Sequence, residues 1–309
     1  MKIVIAGASG LIGDHLTGVL LQSGHHVTAL TTRAIERAAS ENPAFVKVHW
    51  DGASAGEWSR YVDGADAIVN LSGRSLASGR WTRARKQDLI RSRLASTESI
   101  VAAICSAKRK PSVFINASAV GYYGHIESGD VTEDHLPGTD FLAALCAQWE
   151  RAAMAAASSG VRVVLIRSGV VLDSRGGALQ RMVLPFRFFA GGTLGDGTQW
   201  IPWIHREDEA RAIIFAIENA NISGPVNLAA PDAVTMAEFC RTLSRVLRRP
   251  SFMTIPAFVL RALLGEMAQV VLTGQRAVPR KLLQAGFRFQ HPTLQEALSN
   301  LLRPPSSAH

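Results

Sequence analysis

The sequence predicts an α/β protein: a doubly wound parallel Rossmann sheet with a smaller, mainly helical C-terminal lobe. Three observations predict it. A short apolar strand opens the chain and runs straight into Gly7-Ala-Ser-Gly10-Leu-Ile-Gly13. Strand-like and helix-like segments then alternate as far as Arg167, which implies parallel strands joined by right-handed crossovers. Beyond Arg167 a Gly- and aromatic-rich stretch gives way to helical segments punctuated by prolines at 250, 256, 279 and 292.

Lys2 to Ala6 is the first strand, and Gly10 to Leu21 opens a helix that Ser23-Gly24 ends. His26 to Leu30 is strand two, followed by a helix near Ala34 to Ala39. Phe45 to Trp50 is strand three and Ala67 to Leu71 strand four. Leu89, Ile90, Leu94, Val101 and Ile104 recur at helical spacing and mark a helix from about Thr82 to Ala107. Val113 to Ala117 is strand five. Phe141 to Ala157 is an Ala-rich helix, capped by Thr139 or Asp140 and ended by Gly160. Val161 to Arg167 is strand six, Asp208 to Glu218 a helix, and Val226 to Ala229 the last strand. Residues 1–230 thus form the sheet domain, with 173–203 contributing to a second lobe. Residues 231–303 form that small helical lobe, and 304–309 read as a disordered tail.

The chain has 309 residues, 47% of them hydrophobic and 19% charged, which suits a globular protein. Cys105, Cys146 and Cys240 are far apart, which argues against a disulfide framework or a zinc site and fits a reducing, cytoplasmic setting. The amino-terminal apolar run is too short for a signal peptide. No stretch approaches the ~20 apolar residues that span a bilayer, so no membrane partner is expected. Net charge is +8, and residues 74–93 alone hold seven cations against Asp88. Such a stretch attracts the cofactor, an anionic substrate or nucleic acid, or is a solvated helix face. With no nucleic-acid module in view, a nucleic-acid partner is not expected. Oligomeric state is not readable.

Gly-x-x-Gly-x-x-Gly is weak by spacing alone in a chain with 26 glycines. Its place between a strand and a helix is what points to a dinucleotide. Gly7 allows the tight turn, Gly10 a close approach to the diphosphate, and Gly13 close packing of helix on strand. The backbone of Gly7, Ser9, Gly10, Leu11, Ile12 and Gly13 would cradle the phosphates at the helix amino terminus. Strand two ends Leu30-Thr31-Thr32-Arg33 with no acid before Glu36. Thr32 and Arg33 therefore suit a 2′-phosphate, so NADP(H) is preferred and NAD(H) is the alternative. Asp51 is placed at the adenine, and Leu71, Ser72 and Gly73 bring backbone to the cofactor; loop punctuation is the other role open to both. Arg167 is placed with the cofactor residues as a cation for an anionic group, or holds the sheet edge.

The glycine motif, Asp51, Asn70-Leu-Ser-Gly73 and Asn116-Ala-Ser-Ala-Val-Gly-Tyr-Tyr-Gly124 resemble the extended short-chain dehydrogenase/reductases. Further stretches resemble one atypical branch, the NAD-dependent epimerase/dehydratase-like proteins with a C-terminal domain of unknown function. These are 80–86, 167–172, 203–208, 264–268 and 285–287. The resemblance covers nearly the whole chain.

Typical members use Tyr-x-x-x-Lys on the helix after strand five, the lysine lowering the tyrosine pKa so that the phenol exchanges a proton with substrate. Alignment on Glu150 puts Leu142 at the Tyr position and Cys146 at the Lys position. No lysine lies between Lys110 and Lys281, and the only tyrosines are Tyr61, Tyr122 and Tyr123. The usual dyad cannot be built. Ser118, Tyr122 and Tyr123 are the candidate catalytic residues: the serine orients a carbonyl and a tyrosine supplies an acid or hydrogen-bond donor. Glu150 is a base only if its side chain points into the cleft, and reads rather as a salt-bridge or structural hydrogen-bond partner; Cys146 reads as a small buried hydrophobe, His205 as a structural histidine and Asp208 as a helix N-cap. Trp81, Trp200 and Trp203 either line a ring-binding pocket or pack the core. The leading expectation is an NADP(H)-dependent oxidoreductase or epimerase-like enzyme with a non-standard proton relay and an anionic small-molecule substrate. The alternative, motivated by the missing Tyr-Lys pair, is a non-catalytic NADP(H)-binding regulator or sensor acting through protein partners; some members of the branch that the chain resembles have been labelled cell-division inhibitors.

Overall fold

A computed structural model describes residues 1–34 and 42–302. The helix expected over 34–39, but for its first residue, and the tail 304–309 lie outside them. Seven strands form one sheet: β1 Lys2–Ala6, β2 His26–Thr31, β3 Phe45–His49, β4 Ala67–Asn70, β5 Val113–Ala119, β6 Arg162–Ser168 and β7 Gly224–Leu228. Their order is β3-β2-β1-β4-β5-β6-β7 and every pairing is parallel. The winding reverses between β1 and β4, so a crevice opens at their carboxyl ends.

The helices are α1 Leu11–Gln22, α2 Arg83–Ser106, α3 Phe141–Met154, α4 Gly177–Arg187, α5 Arg206–Glu218, α6 Met236–Leu247 and α7 Ala257–Leu264. Side chains alternate across the sheet. Ile3 and Ile5 pack with Leu16 and Leu20 of α1 and Ile213 of α5. Val4 and Ala6 face the other way, toward Ile100 and Ile104 of α2 and Ala153 of α3. A buried strand needs both layers, which is why these strands are apolar on both sides. Thr82 and Asp140 cap α2 and α3 by accepting from Arg85 N and Ala143 N.

A third core joins Leu179, Val183 and Phe186 of α4 to Phe239 and Leu243 of α6 and to Leu298 of a terminal helix, Leu294–Leu302. Thr235 and Glu238 form a reciprocal capping box on α6. This lobe also carries short strand pairs, among them 192–194 with 253–255 and 130–131 with 276–277.

Two local expectations change. β5 continues to Ala119, so Ser118 lies inside the sheet, directly opposite Arg167 of β6. Asp208 is not the N-cap of α5. His205 caps it, its Nδ1 accepting from Glu207 N, and the Asp208 carboxylate instead accepts from Gln290 N and His291 N. An acid one turn into a helix caps nothing when a neighbouring loop offers two backbone donors.

Two buried groups set the pH range of this fold. Glu209 on α5 is fully buried; Ser168 Oγ donates to its Oε1 at 2.6 Å, while Oε2 has no partner. Burial pushes its pKa up to about 8, so the acid is held neutral. Its contribution is complete below the ordinary carboxylate value and is lost as pH rises through about 8. His205 runs the other way. Burial, with His291 beside it, pushes its pKa down to about 3, so its contribution is complete above the ordinary histidine value and is lost as pH falls. Glu209→Gln is therefore expected to gain on the parent by more than about 1 kcal/mol at pH 9 relative to pH 6, read by urea unfolding at both. An unchanged difference would refute the neutral assignment.

Candidate functional site

The first βα turn is shaped by contacts that admit no side chain. Gly7 has φ +83°, and a Cβ there would lie 2.7 Å from the Leu71 carbonyl carbon. A Cβ on Gly13 would lie 2.3 Å from Gly7 O. Gly10 N donates to Gly7 O at 3.0 Å, and Gly10 is the N-cap of α1 without a side-chain cap. The amides of Leu11, Ile12 and Gly13 precede the first intrahelical bond, from Asp14 N to Gly10 O, and remain available to an anion. The loop thus fits the diphosphate of a dinucleotide. Thr32 and Arg33 stand exposed past the end of β2, and among the described residues no acid pairs with Arg33.

The floor of the crevice is a polar chain. Asn70 Oδ1 accepts from Ser72 N and Ser72 Oγ, and Asn70 Nδ2 donates to Asn116 Oδ1 at 2.7 Å and Thr97 Oγ1 at 3.0 Å. Thr97 Oγ1 also accepts from Trp149 Nε1. This fixes Leu71-Ser72-Gly73 against β1. Asp51 takes the loop-closing role: its carboxylate accepts from Ala53 N, Ser54 N and Ser54 Oγ. Those bonds, the Ser54 hydroxyl foremost, hold its pKa at about 2.

Beside Ser118 lies a buried ion pair. Arg167 Nε and Nη2 each donate to Glu150 at 2.8 Å, and Ser118 Oγ donates to Glu150 Oε1 at 2.6 Å. Arg167 Nη1 donates to Tyr123 OH at 2.9 Å and to Glu133 O. Tyr123 OH donates on to Asn227 Oδ1 of β7 at 2.6 Å. Burial works against the Arg167 charge, but Glu150 holds its pKa above the ordinary range.

Two expected site residues are engaged internally. Arg167 is 3% exposed and satisfied by Glu150, Tyr123 and Glu133, which makes it an internal clamp. Tyr123 is 2% exposed with its hydroxyl engaged on both sides, and burial pushes its pKa up to about 12. Ser118 is buried with its proton committed to Glu150. Tyr122 differs. It is half-buried, its ring stacks beneath the Arg167 guanidinium at 3.5 Å, and among the described residues none holds its hydroxyl. Glu150 is the salt-bridge partner the sequence suggested. Burial raises the Cys146 pKa to about 12, which leaves an inert thiol. Trp81, Trp200 and Trp203 tie loops through Nε1 to Leu76 O, Glu127 O and Asp232 O.

The sequence reading missed Arg93. It is 8% exposed on α2, stacked 5.1 Å from the Trp149 ring, and its one recorded hydrogen bond goes to Leu89 O. Among the described residues no carboxylate pairs with it, and burial lowers its pKa. A Cβ on Gly73 would meet its guanidinium at about 3.4 Å, so Gly73 makes room for it. The rest of the basic run is largely occupied. Arg74 and Arg85 share Asp88, Lys86 pairs with Glu266, and Arg80 donates to Ala262 O and Leu263 O. Only Arg93's burial separates it from these, and a run of seven cations carries no sign of that.

Glu150→Ala would leave the Arg167 charge buried and unpaired. A loss of about 3–5 kcal/mol in unfolding free energy is expected, with a smaller loss for Glu150→Gln, measured by urea denaturation.

Family models place these features. The NAD dependent epimerase/dehydratase family matches residues 3–229, and a domain of unknown function, DUF1731, matches 255–301. Epimerase family protein YfhF of Bacillus subtilis is 42% identical over 303 residues, covering 98% of each chain. Epimerase family protein Mb2239 of Mycobacterium bovis is 46% identical over 298 residues, covering 96% of each. The crystal structure of human epimerase family protein SDR39U1 with NADPH superposes with a TM-score of 0.86 at 33% identity, covering 97% of this chain and 99% of that one. UDP-glucuronic acid 4-epimerase of Bacillus cereus, solved with UDP-glucuronic acid and NAD, shares the fold with a TM-score of 0.77 at 20% identity. The chain belongs to the NAD dependent epimerase/dehydratase family, in the group that carries the DUF1731 domain.

Proposed function

We propose that this chain binds NADP(H) across the β1–β4 crevice and acts as an oxidoreductase or epimerase-like enzyme on a small anionic substrate without a Tyr-x-x-x-Lys dyad. The observation that carries the proposal is the glycine turn with the free amides of Leu11, Ile12 and Gly13, and an exposed Arg33 at the end of β2 that no acid pairs among the described residues. The NADPH bound to the human relative supports the same cofactor. Bound NADPH supplies a hydride. Arg33 would meet a 2′-phosphate, and Arg93, a buried cation beside Gly73 with no counter-ion among the described residues, would meet an oxyanion of the dinucleotide.

Leu142 and Cys146 occupy the dyad positions on α3, and Ser118 and Tyr123 are held by protein partners. The proton relay then falls to Tyr122. Its phenol can donate to a substrate oxygen, and the Arg167 guanidinium stacked on its ring stabilises the negative charge that grows there. Glu150 keeps Arg167 charged and in place, so the ion pair positions the acid without touching substrate.

Separate substitutions test each part. Arg33→Ala should weaken NADPH binding by roughly ten- to hundredfold and leave NADH unchanged. Arg93→Met should weaken both cofactors alike. Equal affinity of the parent protein for NADPH and NADH would refute the Arg33 assignment. Tyr122→Phe should cut turnover of a responsive carbonyl substrate by about a hundredfold or more with NADPH affinity preserved. Tyr123→Phe should cost stability instead, about 1–3 kcal/mol by urea unfolding.

The locked Ser118 and Tyr123 also favour a second reading, a non-catalytic regulator that binds NADP(H) and acts through protein partners. It requires tight NADPH binding, no turnover, and a partner captured only when the nucleotide is present.

A further inference from the structure

One face of the C-terminal lobe is apolar, basic and unpartnered. Seven of the eight residues of α7, Ala-Phe-Val-Leu-Arg-Ala-Leu-Leu, are apolar, yet only Leu260 is buried. Phe258 is 71% and Leu263 65% exposed. Phe252 is 74% exposed just before this helix, and Phe188 is 74% exposed just after α4. These segments share one surface. Strand 253–255 pairs with 192–194, and the Arg249 guanidinium lies 4.4 Å from the Phe189 ring. Phe189 sits at φ +61°, a left-handed conformation that a bulky residue adopts at a cost of roughly 1–3 kcal/mol.

The charge on this face is mainly positive, and the acids that flank it are engaged: Glu238 in the α6 capping box, Asp196 by Thr198 and Glu266 by Lys86. Residues 239–265 hold five arginines and residues 181–195 hold two, and neither segment contains an acid. A second copy docked on the same patch by a two-fold axis would set arginine against arginine. A surface of negative charge over an apolar interior matches both properties at once. Arg80 holds α7 to the segment before α2 through Ala262 O and Leu263 O, so the helix is presented by a fixed support.

We propose that this face docks on an anionic phospholipid surface, with Phe188, Phe252 and Phe258 entering the headgroup layer and Arg187, Arg248, Arg249 and Arg261 meeting lipid phosphates. No helix among the described residues is long and apolar enough to cross a membrane, and none is needed for attachment of this kind. The sequence expectation of no membrane partner rested on that missing span alone. The proposal is independent of the cofactor.

Sedimentation of the full chain with vesicles decides it. Vesicles of phosphatidylcholine with about one-third phosphatidylglycerol should bind the protein, pure phosphatidylcholine should not, and salt should release it. The double substitution Phe252→Ser/Phe258→Ser, at two exposed positions, should lower binding at least tenfold with the melting temperature and NADPH affinity unchanged. Arg187→Gln/Arg249→Gln keeps every aromatic ring and should lower it by roughly tenfold or more, at about fivefold per arginine. Absence of binding to the anionic vesicles would overturn the proposal, as would equal binding to neutral ones or binding indifferent to both variants. A solution dimer that dissociates on Phe252→Ser/Phe258→Ser would overturn it in favour of a second copy.

Discussion

The buried pair of Arg167 and Glu150 is the constraint on which the rest of the site depends. It ties β6 to α3, and through Ser118, Tyr123 and Glu133 it reaches β5, the loop beyond it and the strand at the sheet's end. Two charges taken out of water are tolerated only when each is fully paired, and here each is. Glu150 accepts three hydrogen bonds, and the guanidinium has partners on every nitrogen. The order that results is electrostatic in origin, which explains why four polar side chains can stand where an apolar core would have been simpler to build.

α3 serves this arrangement with an apolar leucine, a buried thiol and a carboxylate turned inward. Two buried guanidiniums stand near it, Arg167 from β6 clamped by Glu150 and Arg93 from α2 stacked on Trp149. The phenol nearest to hand comes from the loop after β5. The fold keeps its crevice while the groups around it come from different elements.

The strands and the glycine turn were legible because they obey short periods: apolar runs of up to four residues such as Ile3–Ala6, then glycines at the positions where Leu71 and Gly7 leave no room for a Cβ. The salt bridge of Glu150 was legible as well, since an acid on an Ala-rich helix facing a sheet needs a partner. Other features were hidden for physical reasons. Tyr122 and Tyr123 are adjacent in sequence, and only the three-dimensional path of the loop decides which one is swallowed by Arg167 and Asn227. Arg93 looks like its neighbours in a basic run. Asp208 sits where a cap residue is common, and the backbone donors it serves lie some eighty residues away. Long-range partners of this kind leave no mark in local spacing.

The loop bearing Tyr122 is built on more than the sheet. Gln275 Nε2 donates to Val120 O, Ile126 N donates to Gly274 O at 3.1 Å, and strand 276–277 runs beside 130–131. Val120, Tyr123, Val131 and Ala277 close one small apolar knot. The phenol therefore takes its position from both ends of the polypeptide. Whatever moves the C-terminal lobe moves this loop with it, so a domain with no recognised chemistry of its own acts as the jig that holds Tyr122 in place.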